Sequence, residues 1–251
     1  MNAVLRINLL LALLVLAACT TTDGTIRPGV EPDLAEAARI NTQLGIEYLR
    51  KGENDLALEK LNKALEQDDS QAMAHSVVAF LYQLRGETAL ADRHYRKALS
   101  RNDEDPTTLN NYGAFLCGQG EWRKAEKLFL EALDVRSNTA PEDSWANAGT
   151  CLRTHEPKRA ENYLREALKV NPRHPNALAQ MAELTYEKKD YLRARAFLQR
   201  YQSVARDTPQ TLLLAARTER SLGDEQTARA YERRLRKEFP EAKEIDRLER
   251  P

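Results

Sequence analysis

Residues 110–132, NNYGAFLCGQGEWRKAEKLFLEA, hold the pattern that decides the fold. Gly113 is followed by Gly120, then by Ala125, Phe129 and Ala132. This order of small and large side chains returns along the chain. One small-residue series runs Gly45, Ala79, Gly113, Gly149, Ala182, Ala216. A second runs Ala57, Ala91, Ala125, Ala160, Ala194, Ala228, in steps of 34, 34, 35, 34 and 34 residues. The second follows the first by 12 residues in every unit but the fourth, where the distance is 11. Large residues stand four after the second series (Leu61, Tyr95, Phe129, Leu164, Leu198), and further alanines seven after it (Ala64, Ala98, Ala132, Ala167). Small side chains let two helices cross closely, and large ones fill the space beside the crossing. Gly52, Gly86, Gly120 and Gly223 occupy matching places between the two helices, where a left-handed residue ends the first. Pro172 and Pro240 fall where the second helix should stop.

A fixed period of this length marks stacked repeat units, and the pattern resembles the tetratricopeptide repeat (TPR), an antiparallel helix pair. The expected fold is all-α, a right-handed superhelix of six TPR helix-turn-helix repeats over residues 38–71, 72–105, 106–141, 142–174, 175–208 and 209–242. Composition agrees: glycine and proline are sparse at ten each among 251 residues, and no alternating β-branched run stands out. Ser137 to Pro141 lengthens one inter-repeat turn, where a local bend is expected. Glu219 and Glu232 take places that are apolar in earlier units, which predicts a wettable outer face on the last repeat. Residues 241–251 read as a charged tail, a final helix or a frayed end.

The N-terminus has its own logic. Residues 1–18 read as a secretory signal: Arg6 supplies charge, Ile7 to Leu16 an apolar stretch too short to span a bilayer, and Ala17-Ala18 small residues before Cys19. Leu16-Ala17-Ala18-Cys19 resembles the bacterial lipobox, which implies lipidation of Cys19; the other reading is an ordinary signal with an incidental cysteine. Several acyl chains hold a protein on a bilayer where one does not. Thr20 and Thr21, with no Asp after the cysteine, imply by the same resemblance the periplasmic face of the outer membrane. Residues 19–35 read as a polar tether, and the stretch from Thr20 to Asp33 has a reach of about 20 Å by coil scaling.

Lipobox, tether and six repeats together, with Asn110 to Leu116, Gln119-Gly120 and Ala125 as the local match, resemble the type IV pilus biogenesis lipoproteins of the PilF/PilW family. The resemblance implies a pilotin, which binds secretin subunits and promotes their outer-membrane localisation and multimerisation. The alternative is a TPR lipoprotein of the β-barrel outer-membrane protein assembly machinery, or another envelope scaffold.

Counting from the small residue of each first helix, positions −6, −3, +1 and +4 should line a concave groove. In repeats 1 and 2 these include Ile46, Leu49, Met73, Phe80 and Gln83; half of the eight positions are apolar on a face expected to be wet, hence a partner-binding candidate. The alternative is that neighbouring segments of the chain cover it. In repeats 4 to 6 the count gives a more polar set, from Asp143 through Arg153, Glu183, Tyr186, Gln210, Leu213 and Arg217 to Arg220, expected to orient a partner. Asn111 and Asn147 are equivalent and suit a backbone clamp, or simply local satisfaction. Cys117 and Cys151 lie on first helices of adjacent repeats, as pairs do in part of the resembling family, and a disulfide is expected in an oxidising compartment; two buried thiols are the other reading. His75, His94, His155 and His174 have no partner at zinc-ligand spacing. No phosphate loop, nucleophile motif or catalytic set stands out, so no enzyme, metal, cofactor or small-molecule substrate is expected. With 38 basic and 38 acidic residues cancelling, neither is nucleic acid.

Overall fold

The computed structural model describes residues 33–248. The signal stretch, Cys19 and the tether up to residue 32 lie outside them, as do residues 249–251. Among the described residues there are twelve α-helices, one short 3-10 turn and no strand. The helices pair as α1 (Leu34–Arg50) with α2 (Asn54–Gln67), α3 (Ala72–Leu84) with α4 (Thr88–Arg101), and α5 (Pro106–Gly118) with α6 (Trp122–Asp134). They continue as α7 (Pro141–Leu152) with α8 (Pro157–Val170), α9 (Pro175–Glu187) with α10 (Tyr191–Gln202), and α11 (Pro209–Ser221) with α12 (Glu225–Glu238). The fold is the all-α TPR stack.

The crossing within each pair works as the side-chain volumes require. A Cβ placed on Gly45 would stand 2.5 Å from Leu61 Cγ, on Gly113 2.7 Å from Phe129 Cε1, and on Gly149 2.6 Å from Leu164 Cγ. These three glycines are therefore space-makers for the large residue four after the facing alanine. Alanine serves where the partner is Tyr95 or Leu198. All five large partners are buried. From α3 onward each first helix also packs on the second helix of the preceding repeat, and α3, α5, α7 and α9 each touch the first helix of the next. That makes a continuous layer of side chains from Leu61 to Leu235.

Helix ends follow local chemistry. Pro106, Pro141, Pro157, Pro175 and Pro209 open their helices, where the missing N–H costs nothing. Asp105 accepts from Thr108 N at 2.9 Å, and Thr208 and Thr211 form a reciprocal capping box. The stops at Val170 and Glu238 come just before Asn171-Pro172 and Phe239-Pro240. In the lengthened turn, Asn138 Nδ2 donates to Ala132 O at 2.7 Å while its Oδ1 accepts from Ala140 N at 3.0 Å, closing the loop on itself.

The C-terminal end differs from expectation. Glu219 is not on a wetted face. It is buried, and Arg195 of α10 grips it bidentately, with Nε 2.9 Å from Oε1. Glu232 is paired with Arg220. The acidic residues are there because a charge partner from a neighbouring element satisfies them. What covers the last repeat is the segment after it: Phe239, Ala242, Ile245 and Leu248 pack on Leu212, Leu213, Ala216 and Leu235, with a 3-10 turn at Ile245–Arg247. The tail is thus packed through residue 248, neither a continuing helix nor frayed.

Candidate functional site

Two surfaces stand out, one at the N-terminal end of the stack and one on the inner side of repeats 4 to 6. The first is made by comparison between repeats. In repeats 2 to 6, the residues five and one before the crossing residue are covered by the preceding second helix: Ala74 and Val78 in repeat 2, Ala177 and Met181 in repeat 5, for example, and none of the ten is more than 8% exposed. In repeat 1 the same places hold Ile40 and Leu44, which are 46% and 43% exposed. The face that every other repeat buries is apolar and open on α1. Sequence reasoning missed it because the apolar residues of α1 look like ordinary core until the register of the stack is known.

Of the candidate groove residues in repeats 1 and 2, Met73 is exposed and Ile46 and Phe80 are half-buried. Leu49 packs into the cluster around Leu61, and Gln83 accepts the Tyr95 hydroxyl at 3.0 Å. Gln83 is therefore a structural partner of the crossing tyrosine through its Oε1. Ser76, also on this side, is buried and takes a 2.8 Å bond from Thr108.

The inner side of repeats 3 to 6 is polar and concave. One hollow lies at the repeat 3–4 turn, lined by Asn110, Asn111, Asn138 and Asp143. The two clamp candidates behave differently. Asn147 Nδ2 donates to Asn110 Oδ1 at 3.2 Å, so its amide ties two first helices together. Asn111 faces the hollow and has no side-chain bond among the described residues. Beside them Cys117 and Cys151 are joined as a disulfide with Cα atoms 5.7 Å apart, linking α5 to α7. A second hollow of about 360 Å³ is lined by Arg153, Glu183, Tyr186, Gln210, Leu213 and Arg217 with Leu214 and Arg247. The first six are positions that the register count had placed inward.

The histidines are less dispersed than their numbering implies. His75 and His94 face each other, Nδ1 to Nδ1 at 3.1 Å, between α3 and α4. His155 stacks on Trp122, and His174 caps α9 while its Nε2 lies 2.8 Å from Asp143. Among the described residues no three His, Cys, Asp or Glu side chains are grouped to hold a metal ion.

Comparison with known proteins agrees with this architecture. The tetratricopeptide repeat family matches residues 104–173 and again 152–218. The type IV pilus assembly protein PilF of Pseudomonas aeruginosa is 32% identical over 228 residues, spanning 90% of each chain. The solved structure of P. aeruginosa PilF superposes with a TM-score of 0.76 over 86% of this chain and 97% of that one. That of PilW, described as a widely conserved type IV pilus biogenesis factor, gives 0.77 at 29% identity, over 84% and 97%. With sequence and fold shared over most of both chains, the chain belongs to the PilF/PilW family of type IV pilus biogenesis TPR proteins.

Proposed function

We propose that this protein is a pilotin: a lipoprotein anchored through Cys19 at the periplasmic face of the outer membrane, which binds subunits of the pilus secretin and promotes their localisation and multimerisation. The observation that carries the reading is the open apolar face of α1, in a chain of a pilus biogenesis family. Ile40 and Leu44 stand where a helix lies in every later repeat. An amphipathic helix of the secretin subunit has the shape to fill that place, its apolar stripe covering Ile40 and Leu44. Ile46 on α1 and Met73 and Phe80 on α3 offer further apolar area. A scaffold role needs nothing more than such a surface held rigidly, which a stack of close-packed helix pairs provides.

The test is the double substitution Ile40→Asp, Leu44→Asp in the full lipoprotein. Both side chains lie largely outside the core, so the melting temperature should stay within a few degrees of the parent. Detergent-resistant secretin multimers should fall at least tenfold and surface pili should disappear. Multimers at parental abundance would overturn the assignment of this face. Deletion of the gene tests the wider reading: a general loss of outer-membrane β-barrel proteins, with the secretin still assembled, would favour a role in barrel assembly instead.

A further inference from the structure

The inner side of repeats 4 to 6 contains groups whose chemistry is incomplete. The hollow of about 360 Å³ runs into a neighbouring one of about 300 Å³, because Glu183, Gln210 and Leu214 line both. In the second hollow, Gln180 has its Oε1 buried with no hydrogen-bond partner, the sole side-chain atom in this state among the described residues. Leaving a buried acceptor unmet costs about 1–3 kcal/mol, so the position calls for a donor. At the other end, Arg217 spends one N–H on the backbone carbonyl of Arg247 at 2.9 Å. Neither Arg217 nor Arg247 has a carboxylate at ion-pair distance among the described residues, although acidic groups abound nearby. Those are already engaged: Glu183 and Glu187 hold Arg153, and Glu244 takes the Gln210 amide at 3.0 Å. Between the two ends, Leu213 and Leu214 form an apolar floor beside Tyr186.

We propose that this groove is a second binding site, separate from the α1 face, for an extended acidic peptide segment of a partner protein. The three requirements fix the ligand class. Gln180 Oε1 needs a free N–H; a helix uses its N–H groups internally beyond the first turn, whereas an extended backbone presents them outward. Arg217 and Arg247 need a carboxylate, and a guanidinium binds one bidentately. The leucine floor takes an aliphatic side chain between the two. The first helices of three successive repeats, spaced about 8–10 Å apart, give a track of roughly 20 Å, which about six extended residues span. Glu183 and Glu187, paired with Arg153 at the repeat 4–5 end, turn further carboxylates away from that end, so the acidic residue lies over repeat 6.

Selection of phage-displayed random dodecapeptides on the full chain tests this. Enriched sequences should carry Asp or Glu next to an aliphatic residue. Their synthetic versions should lose affinity at least tenfold on Arg217→Gln or Arg247→Glu and on Gln180→Leu, and weaken as salt rises. Arg247 is exposed, so its substitution leaves the fold intact should Arg217→Gln disturb the tail. Gln180→Leu removes an unmet polar atom and should raise the melting temperature while abolishing binding, which separates ligand loss from unfolding. The Ile40→Asp, Leu44→Asp protein should bind these peptides as the parent does, so failure of the α1 assignment and failure of this one are distinguishable. No enrichment, enrichment of basic or non-acidic sequences, or binding unchanged in the three groove variants would overturn the proposal.

Discussion

The contact between His75 and His94 decides which protons the pair can hold. His75 Nε2 lies 3.2 Å from the Asp69 carbonyl, which only accepts, so this nitrogen carries the hydrogen and His75 Nδ1 is left with its lone pair. His94 Nδ1–H must then donate across the 3.1 Å gap. Burial pushes the His94 imidazole down to about 4, helped by His75 and by the nearby cations Lys97 and Arg93, with Asp69 opposing; His75 is lowered too, chiefly by burial. Lys97 and Arg101 are themselves drawn to Asp69 at 3.1 and 3.0 Å, so little acidic charge remains to stabilise an imidazolium. An unfolded histidine titrates near 6.5. Above that pH both states are neutral and the pair is without effect on pH dependence. As pH falls from 6.5 towards 4 the unfolded chain takes up a proton that folded His94 refuses, so stability declines through this window and the decline ends below the folded value. Between pH 7 and pH 5, where carboxylates remain ionised, urea denaturation should show a loss of about 2 kcal/mol. His94→Gln should flatten that slope. Parallel pH profiles in parent and variant would show that the pair does not carry it.

At the scale of elements, the turn inside each repeat shows one rule applied with two exceptions. Gly52, Gly86, Gly120 and Gly223 have φ between 74° and 84°, the left-handed conformation that closes the first helix. In repeat 5 the same place holds Lys189 at φ 61°. In repeat 4 the crossing residues Gly149 and Ala160 are one residue closer in sequence; Glu156 N bonds Leu152 O at 2.7 Å, and no residue of the turn is left-handed. A side chain in that conformation costs roughly 1–2 kcal/mol, partly offset because glycine loses more freedom on folding. Lys189→Gly should therefore stabilise by about 0.5–1 kcal/mol, read as a higher melting temperature, while Lys189→Ala should leave it unchanged. Equal gains from both would point to the lysine side chain instead of its backbone. The pairings inside a repeat were legible in the sequence because both partners recur at fixed spacing: Gly113 with Phe129 announces itself through Gly149 with Leu164. Lys189 was not, since a lysine says nothing of its φ. Nor were the bonds from Tyr95 to Gln83 and from Asn147 to Asn110, because each joins residues whose types do not repeat. The inward residues of repeats 4 to 6 were legible by counting, but that Gln180 would lack a donor depends on what three stacked helices leave empty. The open face of α1 was hidden for the opposite reason: Ile40 and Leu44 have core-like chemistry, and among the described residues no helix precedes α1 to cover them.

In a stack whose layers touch only their neighbours, the two ends decide how far stability extends. The N-terminal end keeps an apolar face open, which suits a partner that completes the stack. The C-terminal end is closed by the chain itself. Ile245 and Leu248 cover Leu212, Leu213 and Leu235, Glu244 is buried against Gln210, and the Arg247 carbonyl holds Arg217. Removing residues 241–251 strips all three at once. Two aliphatic side chains of this kind contribute about 3 kcal/mol by their burial, given their partial exposure. The loss should not spread evenly. Each helix pair closes its own crossing, so repeats 1 to 3 keep Leu61, Tyr95 and Phe129 buried whatever happens at the far end, and the disulfide between α5 and α7 marks a natural boundary for fraying. Native-state hydrogen exchange on the truncated protein should show protection falling by about two orders of magnitude in α11 and α12, consistent with that energy. Protection should fall less in α9 and α10 and stay unchanged in α1 to α4. A uniform fall across all twelve helices would mean that the stack melts as a single unit and that its ends are not energetically separate; no change in α11 would mean that the tail contributes nothing to the last repeat.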